Sequence, residues 1–388
     1  MVPRALAIAT LTALGGCASP RGDGAASAAT AATAGDAGPS GVTTVRVHYP
    51  AGAHAIALRG SRDPLEWGHG VPMARGDQDV FTLVIEGLAK PIELKPLLDD
   101  ATWSLGPNYR ASPGDTLDLY PRFSRVAGEV RVHDGFASAI LGNARSIRVY
   151  VPPTYLENTI ASFPVVYMHD GQNLFDPSVA YSGVTWRVAE TMDAAAKDAS
   201  IAEAIVVGVD NTGDRVAEYT PTADATWGEG GKGEAYVRMI VEELKPRIDA
   251  EYRTRPGSGD TAIVGSSLGG LVSAWAGVTR PEVFGLVGAL SPTTWWDGRM
   301  ILGVVASIPS RPTRARRVYV DSGDAGALPG EPPNDGVTDT EALADAYRAA
   351  GYVDAVTLRY LVQHGATHDE AHWAERLPGA LSFLLGPR

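Results

Sequence analysis

One stretch constrains the fold more than any other: Ile263-Val264-Gly265-Ser266-Ser267-Leu268-Gly269-Gly270-Leu271. The apolar run from Thr261 to Val264 predicts a buried strand, and Leu268 to about Gly277 predicts a helix. Between them the chain must turn within a few residues while presenting Ser267, the central serine of a G-x-S-x-G pattern. A turn this sharp drives the serine into a strained backbone conformation, and side chains at the flanking positions would collide with strand and helix. The pattern alone is common by chance; the strand before it and the helix after it give it weight. The plain alternative is a glycine-rich turn carrying an incidental serine.

The chain around this stretch has the length and composition for two domains. It has 388 residues, 45% hydrophobic and 20% charged, as soluble globular proteins do. Its formal net charge is -12 and no long Lys/Arg block occurs, which argues against nucleic acid as a partner. Residues 1–16 carry Arg4 and then an apolar run, Ala5 to Leu14, too short to span a bilayer. They read as a secretory signal. The run ends in Leu14-Gly15-Gly16-Cys17, which resembles the lipobox of bacterial lipoproteins, and Cys17 is the single cysteine of the chain. No disulfide framework is therefore available, and the fold must rest on its core. Lipidation at Cys17 would anchor the mature chain outside the cytoplasm, at the outer membrane or facing the periplasm. Residues 17–41, built from Ala, Gly, Ser, Thr and Pro, predict a flexible tether.

Residues 42–123 change to short alternating runs: Thr44 to Tyr49, Ala55 to Gly60, Val80 to Ile85, Ile92 to Leu98 and Thr116 to Tyr120. Short strands with Gly, Pro and Asp breaks predict a small all-β sandwich. The order Gly60, Pro64-Leu65-Glu66-Trp67, Val71-Pro72-Met73, Ile92-Glu93-Leu94-Lys95 resembles immunoglobulin-like starch-binding modules. That resemblance implies sugar stacking on Trp67, Trp103 or Tyr109; the plainer expectation is that these are core aromatics in a domain that shapes the active-site rim.

Residues 124–388 read as an α/β domain. Two alternating segments (Gly128 to His133, Ser146 to Val151) predict an antiparallel pair, and Pro164 to Met168 and Ala204 to Val209 are continuous apolar runs suited to strands buried on both faces. Further strands are expected at Phe284 to Leu290, Arg317 to Val320 and Ala355 to Leu361. Helices are expected at Val184 to Ala196, Ala235 to Tyr252, Thr340 to Ala350 and Ala371 to Leu385. This alternation predicts a doubly wound, mostly parallel sheet with its chemistry at the carboxyl ends of strands. The Ser267 turn then resembles the nucleophile elbow of α/β-hydrolases, in which an acid and then a histidine follow the serine in chain order.

Three histidines follow Ser267: His364, His368 and His372. Their spacing admits a metal site on one helix, but Gly365 interrupts any such helix, so no metal and no cofactor is expected. The segment from His364 to Trp373 resembles the G-x-x-H-x-E-x-x-W signature of the putative-esterase family, which is related to enterochelin and feruloyl esterases. Pro164 to Asn173, Asp210-Asn211 with Arg215, Glu218 and Tyr219, Glu242 to Pro246, and Ser291 to Trp296 fit the same family in order. The resemblance implies that His368 is the base. For the acid it favours Asp335, before a helix, over Asp324 and then Asp321, which sits on the preceding strand. The Leu268 and Gln172 amides are the expected oxyanion donors, Gly171 letting the backbone approach the substrate. Trp295 and Trp296 are the expected substrate contacts, with Trp186 and Trp227 as further candidates; Arg215 could meet an acidic substrate or pair with Glu218. The implied activity is hydrolysis of feruloyl or acetyl esters on polysaccharide, or of catechol siderophore esters. The competing reading is a non-catalytic carbohydrate-binding surface lipoprotein. Nothing in the sequence sets the oligomeric state.

Overall fold

The computed structural model describes residues 41–326 and 332–387. The signal segment, Cys17 and nearly all of the 17–41 tether lie outside the described residues. Among these, no helix is long and apolar enough to cross a membrane.

Eight strands form one mixed sheet: β1 Glu129–Ser138, β2 Asn143–Val151, β3 Val165–His169, β4 Ile205–Val209, β5 Thr261–Ser267, β6 Leu286–Pro292, β7 Arg317–Gly323 and β8 Leu358–Gln363. Their spatial order is β1-β2-β4-β3-β5-β6-β7-β8. The pairs β1–β2 and β2–β4 are antiparallel and all later pairs are parallel. The continuous apolar runs are explained by burial on both faces. Val165 and Tyr167 belong to one apolar cluster, and Val166 and Met168 to the other. Helices α1 Val188–Asp198 and α6 Glu370–Leu385 cover the second face through Met192, Leu377 and Leu381. On the first face lie α2, with segments over Gly233–Arg238, Met239–Leu244 and Lys245–Glu251, then α3 Leu268–Thr279, α4 Trp296–Ala306 and α5 Val337–Ala349. The expected Ala235 to Tyr252 helix thus exists but is wound as a π-helix over Met239–Leu244.

The sheet is mixed and mostly parallel, as the alternation of strands and helices leads one to expect. The chain leaves β3, crosses to β4, and returns to place β5 against the other edge of β3, with Val165 opposite Thr261 and Met168 opposite Val264. The carboxyl ends of β3 and β5 are therefore neighbours at the point where strand order reverses, the usual location of an α/β site.

Residues 43–119 contribute strands in two sheets and one short 3-10 turn, Asp77–Asp79. Val45, Val47 and Phe81 from one sheet share an apolar cluster with Ile56, Leu58 and Leu94 from the other. One strand pair, Thr43–His48 with Thr116–Leu119, is parallel. Two expectations for this segment change. Trp67 and Trp103 are not core aromatics: each is 39% exposed, with ring centroids 6.1 Å apart. Nor does the segment border Ser267. Its bonds to the second domain include Tyr49 OH to Glu157 at 3.0 Å and Asn158 Nδ2 to the His48 carbonyl at 2.8 Å, and residues 120–123 add the buried Arg122–Glu203 pair. A cavity of about 720 Å³ lined by Tyr109, Tyr120, Phe163 and Glu203 opens at the same junction. Phe163 and Glu203 precede β3 and β4, so this junction sits at the amino ends of strands, opposite the end that carries Ser267.

Candidate active site

Ser267 ends β5 with φ 55 and ψ -125, a conformation that non-glycine residues rarely adopt. The strain is held by packing: a Cβ on Gly265 would lie 2.7 Å from the His169 ring and 2.8 Å from the Gly269 backbone, so only glycine lets the helix start this close. Ser267 is 9% exposed, and its Oγ lies 3.3 Å from the Thr293 hydroxyl. Leu268 is the first residue of its helix, so its N–H has no intrahelical acceptor.

The loop after β3 lies alongside. Gln172 is the middle residue of a short 3-10 turn, Gly171–Asn173, and its side-chain oxygen accepts from Asn211 N–H at 3.1 Å. Gly171 is required for a reason other than substrate approach. A Cβ there would meet Asp210 Oδ1 and the Gly208 backbone at 2.6 Å, so the loop is pressed onto β4. Asp170 sits in the left-handed region (φ 54), clamped by Arg215 Nε and Nη2 at 2.8 and 2.9 Å and by Asn211 Nδ2 at 2.6 Å. Burial alone would push its carboxyl up, but the Arg215 charge and these hydrogen bonds bring it below the ordinary carboxylate range. Arg215 therefore pairs with Asp170 and not with Glu218, which is buried on Arg145 at 2.9 Å. Beneath the loop, His169 donates to or accepts from Tyr236 OH at 2.9 Å, and burial lowers its pKa to about 4.

The three candidate aspartates have different partners. Asp335 Oδ1 lies 2.5 Å from His368 Nδ1, with both side chains largely or wholly buried. Since a carboxylate only accepts, Nδ1 donates, which leaves Nε2 as the basic nitrogen. That Nε2 is buried with no hydrogen-bond partner among the described residues. The other oxygen of Asp335 accepts from Gly323 N–H and from Ser291 Oγ at 2.7 Å. Burial would raise the Asp335 carboxyl, and the hydrogen bond and charge of His368, with Ser291 and Gly323, lower it below its usual value. Asp324 instead meets the exposed His364 at 2.7 Å, and Asp321 lies 3.0 Å from Arg376 Nε. His372 contacts Asp369, so the three histidines face three different carboxylates. Among the described residues no group of three His, Cys, Asp or Glu side chains is placed to hold a metal ion.

The aromatic residues divide by exposure. Trp227 is 43% exposed, Trp295 is half-buried, and their centroids lie 5.7 Å apart. Trp295 is two residues from Thr293, which faces the Ser267 hydroxyl. Trp296 does not fit the expectation of a substrate contact. It is 1% exposed and its Nε1 donates to the Thr222 carbonyl at 2.9 Å, so it supports the other two rings from behind. Trp186 is core, packed on Trp373. Sequence reasoning passed over the roles of Ser291, Trp373 and Arg376, whose contacts join three segments distant in the chain. It also passed over Glu370, which accepts from Asn173 and from Ser182 and so ties the loop after β3 to the start of α6.

Several known proteins are similar to this chain. The Iron(III) salmochelin esterase of Escherichia coli O6:H1 is 30% identical over 185 residues, covering 47% of this chain and 40% of that enzyme. The endo-1,4-beta-xylanase/feruloyl esterase of Xylanibacter ruminicola is 26% identical over 243 residues, covering 61% of this chain and 29% of that one. The chain thus spans well under half the length of either. An IroE-like serine hydrolase from Shewanella oneidensis shares the fold with a TM-score of 0.54 at 22% identity, over 66% of this chain and 80% of that chain. The family described as "Putative esterase" matches residues 138–384, more than half of the sequence. The chain belongs to this family of esterases and is a carboxylic ester hydrolase.

Proposed function

We propose that the protein hydrolyses esters through a Ser267-His368-Asp335 triad. The observation that carries this reading is the buried contact of His368 Nδ1 with Asp335 Oδ1, which leaves a bare Nε2 in the same strand-end cluster as the strained Ser267. His368 Nε2 takes the Ser267 proton as Oγ attacks the ester carbonyl. The Leu268 and Gln172 N–H groups receive the oxyanion. Collapse expels the alcohol, protonated by His368, and leaves an acyl-enzyme; water, activated by the same nitrogen, then releases the acid. In the resting geometry Ser267 Oγ contacts Thr293 rather than His368, so the hydroxyl rotates toward Nε2 when substrate arrives.

The relatives and the aromatic wall both support a reading of the substrate class. The relatives named above are, by their names, an Iron(III) salmochelin esterase and an endo-1,4-beta-xylanase/feruloyl esterase. Trp227 and Trp295 offer faces on which a planar aryl acyl group stacks, which favours an aromatic ester over a simple acetyl ester. The exposed Trp67–Trp103 pair favours a polysaccharide-borne ester, because two surface indoles are suited to sugar rings. Cys17 is proposed as a lipid anchor that keeps the enzyme extracytoplasmic at a membrane. The test is a panel of methyl ferulate, acetylated xylan and a ferric catecholate ester, run on wild type and Ser267→Ala. Loss of all hydrolysis in a folded Ser267→Ala supports the triad. Full retention would leave the non-catalytic carbohydrate-binding reading, with any activity arising elsewhere.

A further inference from the structure

The second oxygen of Asp335 is held by an arrangement with only one consistent set of hydrogen positions. Ser291 Oγ lies 2.8 Å from Arg376 Nη2 and 3.1 Å from Trp373 Nε1. Guanidinium and indole N–H groups can only donate, so together they occupy both lone pairs of the hydroxyl. The one proton of Ser291 must then be given away, and the acceptor is Asp335 Oδ2 at 2.7 Å. Arg376 is itself fixed: its Nε faces the wholly buried Asp321 at 3.0 Å, and Nη1 donates to Gln363 at 3.1 Å. The backbone of Ser291 is bent to suit, with φ 40. The indole that donates to Ser291 also packs edge-on against His368, with centroids 5.0 Å apart at 84°.

We infer that Ser291 is a positioning residue for the esterase reaction: its hydroxyl, locked as a donor by Arg376 and Trp373, turns the Asp335 carboxylate so that Oδ1 alone faces His368 Nδ1. The inference rests on the triad reading above. Asp335 arrives on a turn between strand and helix, in left-handed backbone (φ 53), and no strand pairing holds its own backbone. Without a fixed partner on Oδ2 the carboxylate could swing about its side-chain bonds, and His368 could adopt the other tautomer. With Gly323 N–H and Ser291 Oγ both on Oδ2, rotation breaks two buried hydrogen bonds. Asp321 acts on Ser291 both directly, accepting from its N–H at 3.2 Å, and at one remove, by keeping Arg376 in place. The same bonds draw negative charge toward Oδ2. Removing the Ser291 hydroxyl concentrates that charge on Oδ1, stabilises the imidazolium of His368, and moves the acid limb of the rate profile to higher pH.

The test is the pH dependence of p-nitrophenyl acetate hydrolysis by full-length Ser291→Ala and Ser291→Gly. Rates are expressed per active site counted with a fluorophosphonate, so that misfolded molecules do not enter. Both variants should lose about ten- to a hundredfold in kcat with KM within about twofold, and both acid limbs should move up by about half a pH unit. The glycine variant relieves the bent backbone, so its failure to recover activity assigns the effect to the hydroxyl. The paired change Asp321→Asn with Arg376→Met removes the buried ion pair without leaving a lone charge. It frees the hydroxyl to turn, and should lower kcat in the same direction. Wild-type kcat and acid limb in both Ser291 variants would overturn the inference, as would a rise in KM alone. Failure of the triad reading shows separately, as wild-type enzyme whose label is not on Ser267.

Discussion

Asp321, Asp324 and Asp335 stand within fifteen residues of one another, and their partners give them different work. Asp335→Asn would leave an amide beside His368 and favour the wrong tautomer, so turnover should fall by about 10⁴-fold. Asp324→Asn disturbs only the contacts of Asp324 with the exposed His364 and with the Gly365 N–H, and should stay within about twofold of wild type. Kinetics of the two variants side by side check this, and the reverse ranking would transfer the acid role to Asp324. A second prediction concerns His169. It stays neutral in the fold down to pH about 4, against an ordinary value of 6.5, because burial disfavours its charge. The unfolded chain binds that proton first, so the stability from this site is present above pH 6.5 and is lost as pH falls toward 4. Relative to His169→Gln, wild type should lose roughly 3 kcal/mol across that window in denaturant titrations. Parallel curves for the two proteins would show that His169 titrates normally.

At the scale of elements, what the sequence disclosed depended on how local each feature is. The Ser267 turn was legible because its strand, glycines and helix are contiguous, and steric need alone dictates that order. Strand positions came within a few residues for the same reason, although β6 and β8 begin later than their apolar runs suggest. Asp335 was legible only as one of three, since its partner is 33 residues away across a strand and a loop. Ser291 had no local signal at all: its meaning comes from Trp373 and Arg376 on α6. The adjacent Trp295 and Trp296 read alike in sequence, yet the start of the Trp296–Ala306 helix turns one toward the site and the other into the core. Trp296→Ala should therefore cost about 3–5 kcal/mol of stability, measured by thermal or chemical unfolding. Trp227→Ala should leave stability within about 1 kcal/mol and raise KM severalfold for an aryl acyl ester but not for an acetyl ester. Equal effects on both esters would remove Trp227 from the acyl site.

Across the whole molecule the two ends of the mixed sheet divide the labour. The carboxyl ends of β3, β5, β6 and β7 carry the Gln172 loop, Ser267, Ser291 and Gly323, whereas residues 43–123 meet the amino ends. The proposed triad therefore lies at the end of the sheet opposite this segment. Cys17→Ser should move the protein from the membrane to the soluble fraction while kcat/KM stays within about twofold, because the reacting groups all lie beyond residue 160. Unchanged membrane association would remove Cys17 as the anchor. The central claim, that Ser267 is the nucleophile activated by His368, is tested most directly by trapping the covalent enzyme. After reaction with a fluorophosphonate, peptide mass mapping should place one adduct on Ser267, with labelling abolished in Ser267→Ala and slowed at least a hundredfold in His368→Ala. An adduct on another residue, or undiminished ester hydrolysis by folded Ser267→Ala, would contradict the account.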